Sequence, residues 1–215
     1  MKSEKKVQLR RLLFATNNPG KQREIKRILK GLPLEIVFPG DIGIKLDPEE
    51  TGGTFQENAF LKAEAFAKKA PGMMVAAEDS GLVVPALGGE PGVRSARYGG
   101  TRDNAAHNAL LLEKMRGLEG GQRAAYYEAV VVLLDETRRS HVFSGRVNGE
   151  IALEPKGSGG FGYDPVFFSA ELGRTFGEAP ARDKDRLSHR GKALRALKRA
   201  LVPILSRNAG PEVWP

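Results

Sequence analysis

The sequence predicts an α/β fold. Three observations carry that prediction: short apolar runs alternate with helical stripes, capping residues open the stripes, and Gly or Pro closes them. At 215 residues and 40% hydrophobic content, the chain can bury a full core in one large domain or in two joined lobes. It shows no self-similarity at solenoid or propeller periods and no long low-complexity block.

Residues 12–15 read as a buried strand, after which Asn18 and Pro19 supply an N-cap and a first-turn proline. The helix that follows carries Ile25, Ile28 and Leu29 on one stripe and ends at Gly31 and Pro33. Residues 34–38 read as a second strand, and 41–53 as an irregular acidic stretch. Thr54 and Glu57 then form a capping-box pattern that opens a second helix. Phe55, Ala59, Ala63, Phe66 and Ala70 line one side of it, Asn58 and Lys62 share another, and Pro71 and Gly72 close it. Residues 73–77 and 82–84 are apolar, with Glu78, Asp79, Ser80 and Gly81 read as a polar turn between them, so two carboxylates are expected at a strand end. Residues 103–115 read as a helix, 124–134 and 141–147 as paired strands, and 157–162 as a glycine loop. A final helix at 188–205 carries the stripe Leu194, Leu197, Leu201 and Leu205. The expected division is a basic extension at 1–11, a domain at 12–205 and a loose tail at 206–215.

Composition bounds the function. With no cysteine, neither disulfides nor a thiolate metal site can support the fold, and three histidines argue against a zinc cage. The apolar run at 12–15 is too short for a signal peptide or a membrane span, so a cytoplasmic protein with no membrane contact is expected. The formal charge of +8 favours polyanionic partners. Much of the excess lies in the extension and on the last helix, where a solvated charged face is the simpler explanation.

Four constellations carry chemistry. Thr16, Asn17, Asn18, Pro19, Gly20 and Lys21 form a strand-to-helix turn with backbone amides, a hydroxyl and an ammonium at a helix N-terminus, which is an anion site. The glycine spacing is wrong for a Walker A loop, and an ordinary capped helix is the competing reading. Glu49 and Glu50 in the acidic stretch, with Glu78 and Asp79, could converge on a hard cation such as magnesium, leaving one carboxylate to take a proton from water. For the two loop glutamates a solvated loop explains the pattern equally well. Gly157, Gly159 and Gly162 match G-x-G-x-x-G, but Asp164-Pro165 and the apolar 166–168 point to a turn entering a strand, not to a helix. In that loop Phe161 and Tyr163 offer a stacking surface and Asp164 a polar contact, with core aromatics as the alternative. Ser188, His189 and Arg190 at the last helix start, with Lys184 upstream, offer donors to a base carbonyl or a phosphate. No Ser/His/Asp triad pattern is present.

The order and wording of these stretches resemble the inosine triphosphate pyrophosphatase family, the non-canonical purine NTP pyrophosphatases. The resemblance lies in ATNNPGK at 15–21, TFQENAFLKA at 54–63, EDSGLVVPALGGEPGVRSARYGG at 78–100, GGFGYDPVFF at 159–168 and LSHRGKAL at 187–194. It implies a mixed twisted sheet with flanking helices, two lobes around a nucleotide cleft, and a homodimer. It also implies magnesium-dependent hydrolysis of dITP, ITP or XTP to the monophosphate and pyrophosphate, with manganese as an alternative metal. Carried onto matching positions, Thr16, Asn17, Asn18, Pro19, Gly20, Lys21 and Lys62 would hold the triphosphate, and Ser80 would contact substrate. Glu50 and Asp79 would serve the metal, with Glu49 as the second choice in the loop, and Asp79 would be the general base. Phe161, Gly162, Tyr163, Asp164, Lys184, His189 and Arg190 would form the base pocket. Glu78 departs from the aspartate common at its position in bacterial relatives, which leaves its part in metal binding open. Three rivals stand beside this reading, one of them a purely structural interaction protein, which would leave the 78–81 turn unexplained. A Maf-type pyrophosphatase shares the reaction but prefers other bases. A nucleic-acid-binding module using the basic charge conflicts with the acidic clusters, so no stable nucleic-acid partner is expected.

Overall fold

The computed structural model describes residues 9–207. Residues 1–8 of the basic extension and 208–215 of the tail lie outside the described residues. In chain order the elements are β1 (Arg10–Phe14), α1 (Pro19–Ile28), β2 (Leu34–Val37), α2 (Phe55–Lys69), β3 (Met74–Val83), α3 (Asn104–Lys114), β4 (Ala124–Leu134), β5 (Ser140–Ile151), β6 (Phe167–Ser169), β7 (Arg174–Thr175), α4 (Ala181–Leu187) and α5 (His189–Arg207), with short 3-10 turns between some of them. The strands form one mixed sheet in the order β2-β1-β3-β4-β5-β6-β7. β1 lies parallel to β2 and β3, and all later pairings are antiparallel.

The local signals act as their chemistry demands. Asn18 Oδ1 accepts the N–H of Lys21 at 3.1 Å, and Pro19, which has no N–H to leave unpaired, opens α1. At α2 the Thr54 hydroxyl accepts the Glu57 N–H at 3.1 Å while the Glu57 carboxylate accepts the Thr54 N–H at 3.1 Å. The leucine stripe of α5 is buried without remainder at Leu194, Leu197 and Leu201. β1 starts at Arg10, two residues inside the expected extension, and Arg10 pairs with Leu34. No helix of the described residues is long and apolar enough to cross a membrane.

Two lobes share the sheet. In the first, Leu12, Phe14, Met74 and Ala76 face Ile25 and Leu29 of α1 and the α5 leucines, while Leu13, Val75 and Ala77 face Ala59, Ala63 and Phe66 of α2 on the other side. In the second, Leu82, Tyr127, Val147 and Ile151 pack with Leu111 of α3 and with Phe167 and Phe176. β3 and β4 supply apolar residues to both lobes, and the point where the lobes meet falls in the middle of β3.

That placement corrects one sequence expectation. Residues 78–81 are not a turn: β3 is unbroken, with Glu78, Asp79, Ser80 and Gly81 in register with Val131, Val130, Ala129 and Glu128 of β4. Polar side chains that look like a turn signal sit in a central strand because charged partners on both faces satisfy them. α4 went unread because its short, mostly charged run shows no apolar period; only Lys184 and Leu187 turn inward.

α5 lies against β5 so closely that Gly145 has no room for a side chain: a Cβ there would come 2.2 Å from the His189 carbonyl oxygen and 2.7 Å from the Ala193 nitrogen. Gly145→Ala should therefore lower stability by ~1–3 kcal/mol through overpacking. Gly121→Ala, where nothing lies within 4 Å of the added methyl, should stay within ~0.5 kcal/mol of wild type. Urea denaturation midpoints check both, and equal midpoints would contradict the packing account.

Candidate active site

The cleft exists because β1 is short. β1 pairs with β3 only as far as Phe14 opposite Ala76, and the last contact is Ala15 N–H to the Ala76 carbonyl at 2.7 Å. Beyond it, among the described residues, nothing pairs with that side of β3 until an isolated bridge joins Val83 to Pro91. Glu78, Asp79, Ser80 and Gly81 occupy the gap. The chain leaves β1 toward β2 on one side and returns to β3 on the other, so the gap is a topological switch point at the carboxyl end of a parallel strand, where α/β sheets bind ligands. A cleft of about 800 Å³ opens there.

Strand alternation sorts the polar residues of β3 by face. Glu78 and Ser80 point toward α1 and α5. Arg190 Nε donates to Glu78 Oε2 at 2.8 Å and Nη2 to Oε1 at 2.9 Å, and Nη2 also reaches the Ser80 hydroxyl at 3.0 Å. Lys21 Nζ stands 3.5 Å from Glu78 Oε1. Arg190 also pairs with Glu24 of α1, which accepts from Lys184 Nζ at 2.8 Å, and Lys184 in turn pairs with Asp164. Three carboxylates and three cations thus neutralise one another in a buried chain. Burial opposes ionisation of Glu24 and Glu78, yet Arg190 beside both, with Lys184 and Lys21 respectively, holds each carboxyl below the usual range. Burial pushes Asp164 up, and Lys184 offsets this only in part.

Asp79 points to the other face, toward α2. Lys62 Nζ lies 3.0 Å from Asp79 Oδ1 and 2.9 Å from Glu50 Oε1, so one ammonium bridges the strand carboxylate and the acidic stretch. Burial opposes the charge on Lys62, but Asp79 and Glu50 keep it protonated above the ordinary lysine range. Asp79 itself is pushed up by burial, which Lys62 and Lys21 offset incompletely. Arg97 donates to Glu50 Oε2 at 2.5 Å and to the Glu50 carbonyl at 3.1 Å, and with Lys62 it keeps the Glu50 carboxyl low despite burial. Glu49 lines the same cleft but is exposed.

At the far end His189 stacks on Tyr127, rings 4.4 Å apart and 5° from parallel. Burial and the neighbouring Arg190 push the imidazole well below its ordinary value, so it is neutral at physiological pH. Its Nδ1 is buried with no partner among the described residues. Phe161 lies near Lys184 and Arg190, 4.7 and 5.3 Å from ring centroid to charge. The Tyr163 hydroxyl donates to the Ser95 carbonyl at 2.9 Å, and Asp164 accepts the Phe161 N–H at 2.8 Å.

Every site residue expected from the sequence lines this cleft except Pro19, Gly20 and Ser188, whose buried hydroxyl accepts the Gly191 N–H at the start of α5. Gly20 is buried under Phe161, where a Cβ would lie 2.5 Å from the ring, so it serves packing. Arg190, expected to offer donors to a base carbonyl or a phosphate, has all three guanidinium nitrogens bonded to Glu78, Glu24 or Ser80. Glu24, Arg97 and Tyr127 are not among the site residues that the sequence suggests, and Asn58 enters there only as a neighbour of Lys62 on one helix face. Glu24 sits one turn beyond Lys21 on a helix with a charged exposed face, and nothing local distinguishes it from its solvated neighbours.

The Ham1 family profile matches residues 12–200. The chain belongs to the Ham1 family. It is 49% identical over 190 residues to a dITP/XTP pyrophosphatase of Thermus thermophilus, covering 88% of this chain and 91% of that protein. Among solved structures, the Staphylococcus aureus Ham1 protein superposes with a TM-score of 0.81 at 38% identity, and a HAM1 protein from Coxiella burnetii with 0.82 at 35%. Each covers 91% of this chain and 100% of its own. The mixed seven-stranded sheet with its flanking helices is thus the fold of Ham1 structures.

The buried charge chain gives a stability test. Glu24→Gln leaves Arg190 and Lys184 short of a carboxylate and should cost ~3–5 kcal/mol at neutral pH. Because the folded-state carboxyl is depressed, wild type holds this advantage above the ordinary glutamate range and loses it as pH falls through the lowered value. Urea titrations should show the gap between wild type and variant narrowing in acid; a gap that widens would contradict the pairing. Arg102→Ala, which removes an exposed pair with Asp47, should change stability by less than ~1 kcal/mol.

Proposed function

We propose that this chain hydrolyses non-canonical purine nucleoside triphosphates, dITP, ITP and XTP, to the monophosphate and pyrophosphate, removing them from the nucleotide pool. The relative named for dITP and XTP, which matches most of both chains, supports this. The single observation that carries it in the structure is one cleft with two chemically different ends: Lys21, Lys62, Glu50 and Asp79 at one, and Phe161, His189 and Lys184 at the other.

At the first end, Thr16, Asn17, Asn18, Lys21 and Lys62 with the α1 N-terminus bind the triphosphate, and Ser80 contacts it. Lys21 is suited to that anion because burial lowers its pKa and Glu78 offsets this only in part, so an incoming phosphate restores what desolvation removes. Glu50 and Asp79 are the residues that would hold a magnesium ion, with Glu49 within the same stretch and manganese as an alternative metal. The donor set fits: the two carboxylates already converge on one cation, the Lys62 ammonium. Magnesium takes one or two protein carboxylates and fills its shell with water and phosphate, so the lack of a cluster of three or more such ligands among the described residues is consistent with it. When bound, the ion would neutralise phosphate charge and draw electron density from the α phosphorus. Asp79, raised by burial, accepts the proton of the attacking water, and Lys62, released from its bridge, neutralises the leaving pyrophosphate.

At the second end, the base stacks against Phe161, and Gly162, Tyr163 and Asp164 shape the pocket. His189 and Lys184 present donors toward a six-keto oxygen. An exocyclic amine there would set donor against donor in a buried site, which is strongly disfavoured. Arg190 acts through Glu78 and Ser80 and holds the wall in place. The reading extends to one two-lobed domain at 12–205, to a homodimer, and to a cytoplasmic location.

Pyrophosphate release measured across dITP, XTP, ATP, GTP, dTTP and UTP, with and without magnesium, tests the reading. Release from dITP and XTP that depends on the metal is expected, and Asp79→Asn should lower kcat by about 10²–10⁴-fold with the fold retained. Preference for dTTP or UTP would favour a Maf-type activity, and wild-type turnover by Asp79→Asn would overturn the assignment of the base.

A further inference from the structure

Asn58 is fully buried on α2, one turn before Lys62, and both ends of its amide are engaged. Oδ1 accepts the Gly52 N–H at 2.8 Å, and Nδ2 donates to Asp79 Oδ2 at 3.2 Å. The partners dictate this orientation, because a backbone N–H needs an acceptor and an ionised carboxylate needs a donor. One planar group therefore ties the acidic stretch that carries Glu50 to the strand that carries Asp79. Gly52 is shaped to it: a Cβ there would lie 2.8 Å from Asn58 Oδ1 and 2.6 Å from Glu57 Cβ. The stretch at 44–53 has no helix or strand of its own, so the distance from Glu50 to Asp79 depends on side-chain ties. Lys62 binds Oδ1 of Asp79 and Asn58 binds Oδ2, which leaves the carboxylate a single orientation.

We propose that Asn58 is a positioning residue for the reaction, setting the Asp79 carboxylate and the Glu50-bearing stretch in fixed relation through one buried amide. Asn58 does not line the cleft and acts only through Asp79 and Gly52. The role deepens the pyrophosphohydrolase reading and rests on it. Groups that orient a catalytic ligand from behind are commonly worth about 10–100-fold in activity, a loss that packing alone would not produce in molecules that remain folded.

Two variants separate the two ends of the amide. Asn58→Asp keeps an acceptor for Gly52 but sets an oxygen against Asp79; Asn58→Leu fills similar space and makes neither bond. With dITP, both should lose about 10–100-fold in kcat per folded molecule with KM little changed. Hydrogen exchange of the peptide spanning 44–53 should remain protected in Asn58→Asp and become faster in Asn58→Leu. Wild-type kcat in folded Asn58→Asp, or unchanged exchange in Asn58→Leu, overturns the proposal, since a purely structural residue would lower the melting temperature and leave kcat alone. Should neither variant fold, Gly52→Ala displaces the same amide from the loop side, and wild-type kcat there overturns it equally. If wild-type protein releases no pyrophosphate, the functional reading fails by itself, and the exchange measurement still decides whether the amide ties the loop.

Discussion

One guanidinium, that of Arg190, governs the architecture of the site. It is buried and charged, and a buried charge persists only when its donors are matched. Its partners are Glu78 on β3, Glu24 on α1 and Ser80 on β3, so α1, β3 and the start of α5 meet at one point. Glu78 and Arg190 are 112 residues apart, which makes the pair a closing contact of the fold as well as a wall of the cleft. Lys184 and Asp164 continue the pairing into the glycine loop and place Phe161 above Gly20.

The two faces of β3 divide the work. On the α5 face Arg190 is held by Glu78, Glu24 and Ser80, an arrangement suited to fixing geometry, while Lys21 and Lys184 beside it line the cleft. On the α2 face the pairing among Lys62, Glu50 and Asp79 is partly open to the cleft, and its cation sits on a flexible four-carbon arm. An ammonium between two carboxylates can leave when an incoming anion and a hard cation supply better partners, whereas Arg190, locked bidentate, cannot. A single step along one strand, from Glu78 to Asp79, separates the carboxylate held by the arginine from the one held by the lysine.

Much of this was legible in sequence. Helix starts at Asn18-Pro19 and Thr54 were readable because capping is a local interaction, and the α5 stripe because burial is periodic. The polar run at 78–81 was misread as a turn because its satisfaction is not local: Arg190 and Lys62 come from distant helices, and the sequence offers no sign that they close on it. For the same reason no local pattern singles out Glu24 or Arg97, and Asn58 reads as one polar residue on a helix face. Asn58, Arg97 and Arg190 lie inside the stretches that carry the family resemblance, but what each of them holds is set by partners distant in sequence, which no local pattern displays.

The claim that phosphate chain and purine ring lie at opposite ends of one cleft is tested most directly by a crystal structure with a non-hydrolysable inosine triphosphate analogue and magnesium. The account predicts the phosphates within contact of Lys21 and Lys62, the metal at Asp79 and Glu50, and the ring against Phe161 and His189. A ligand bound elsewhere, or one lying in the reverse direction with its base beside Asp79, would contradict it.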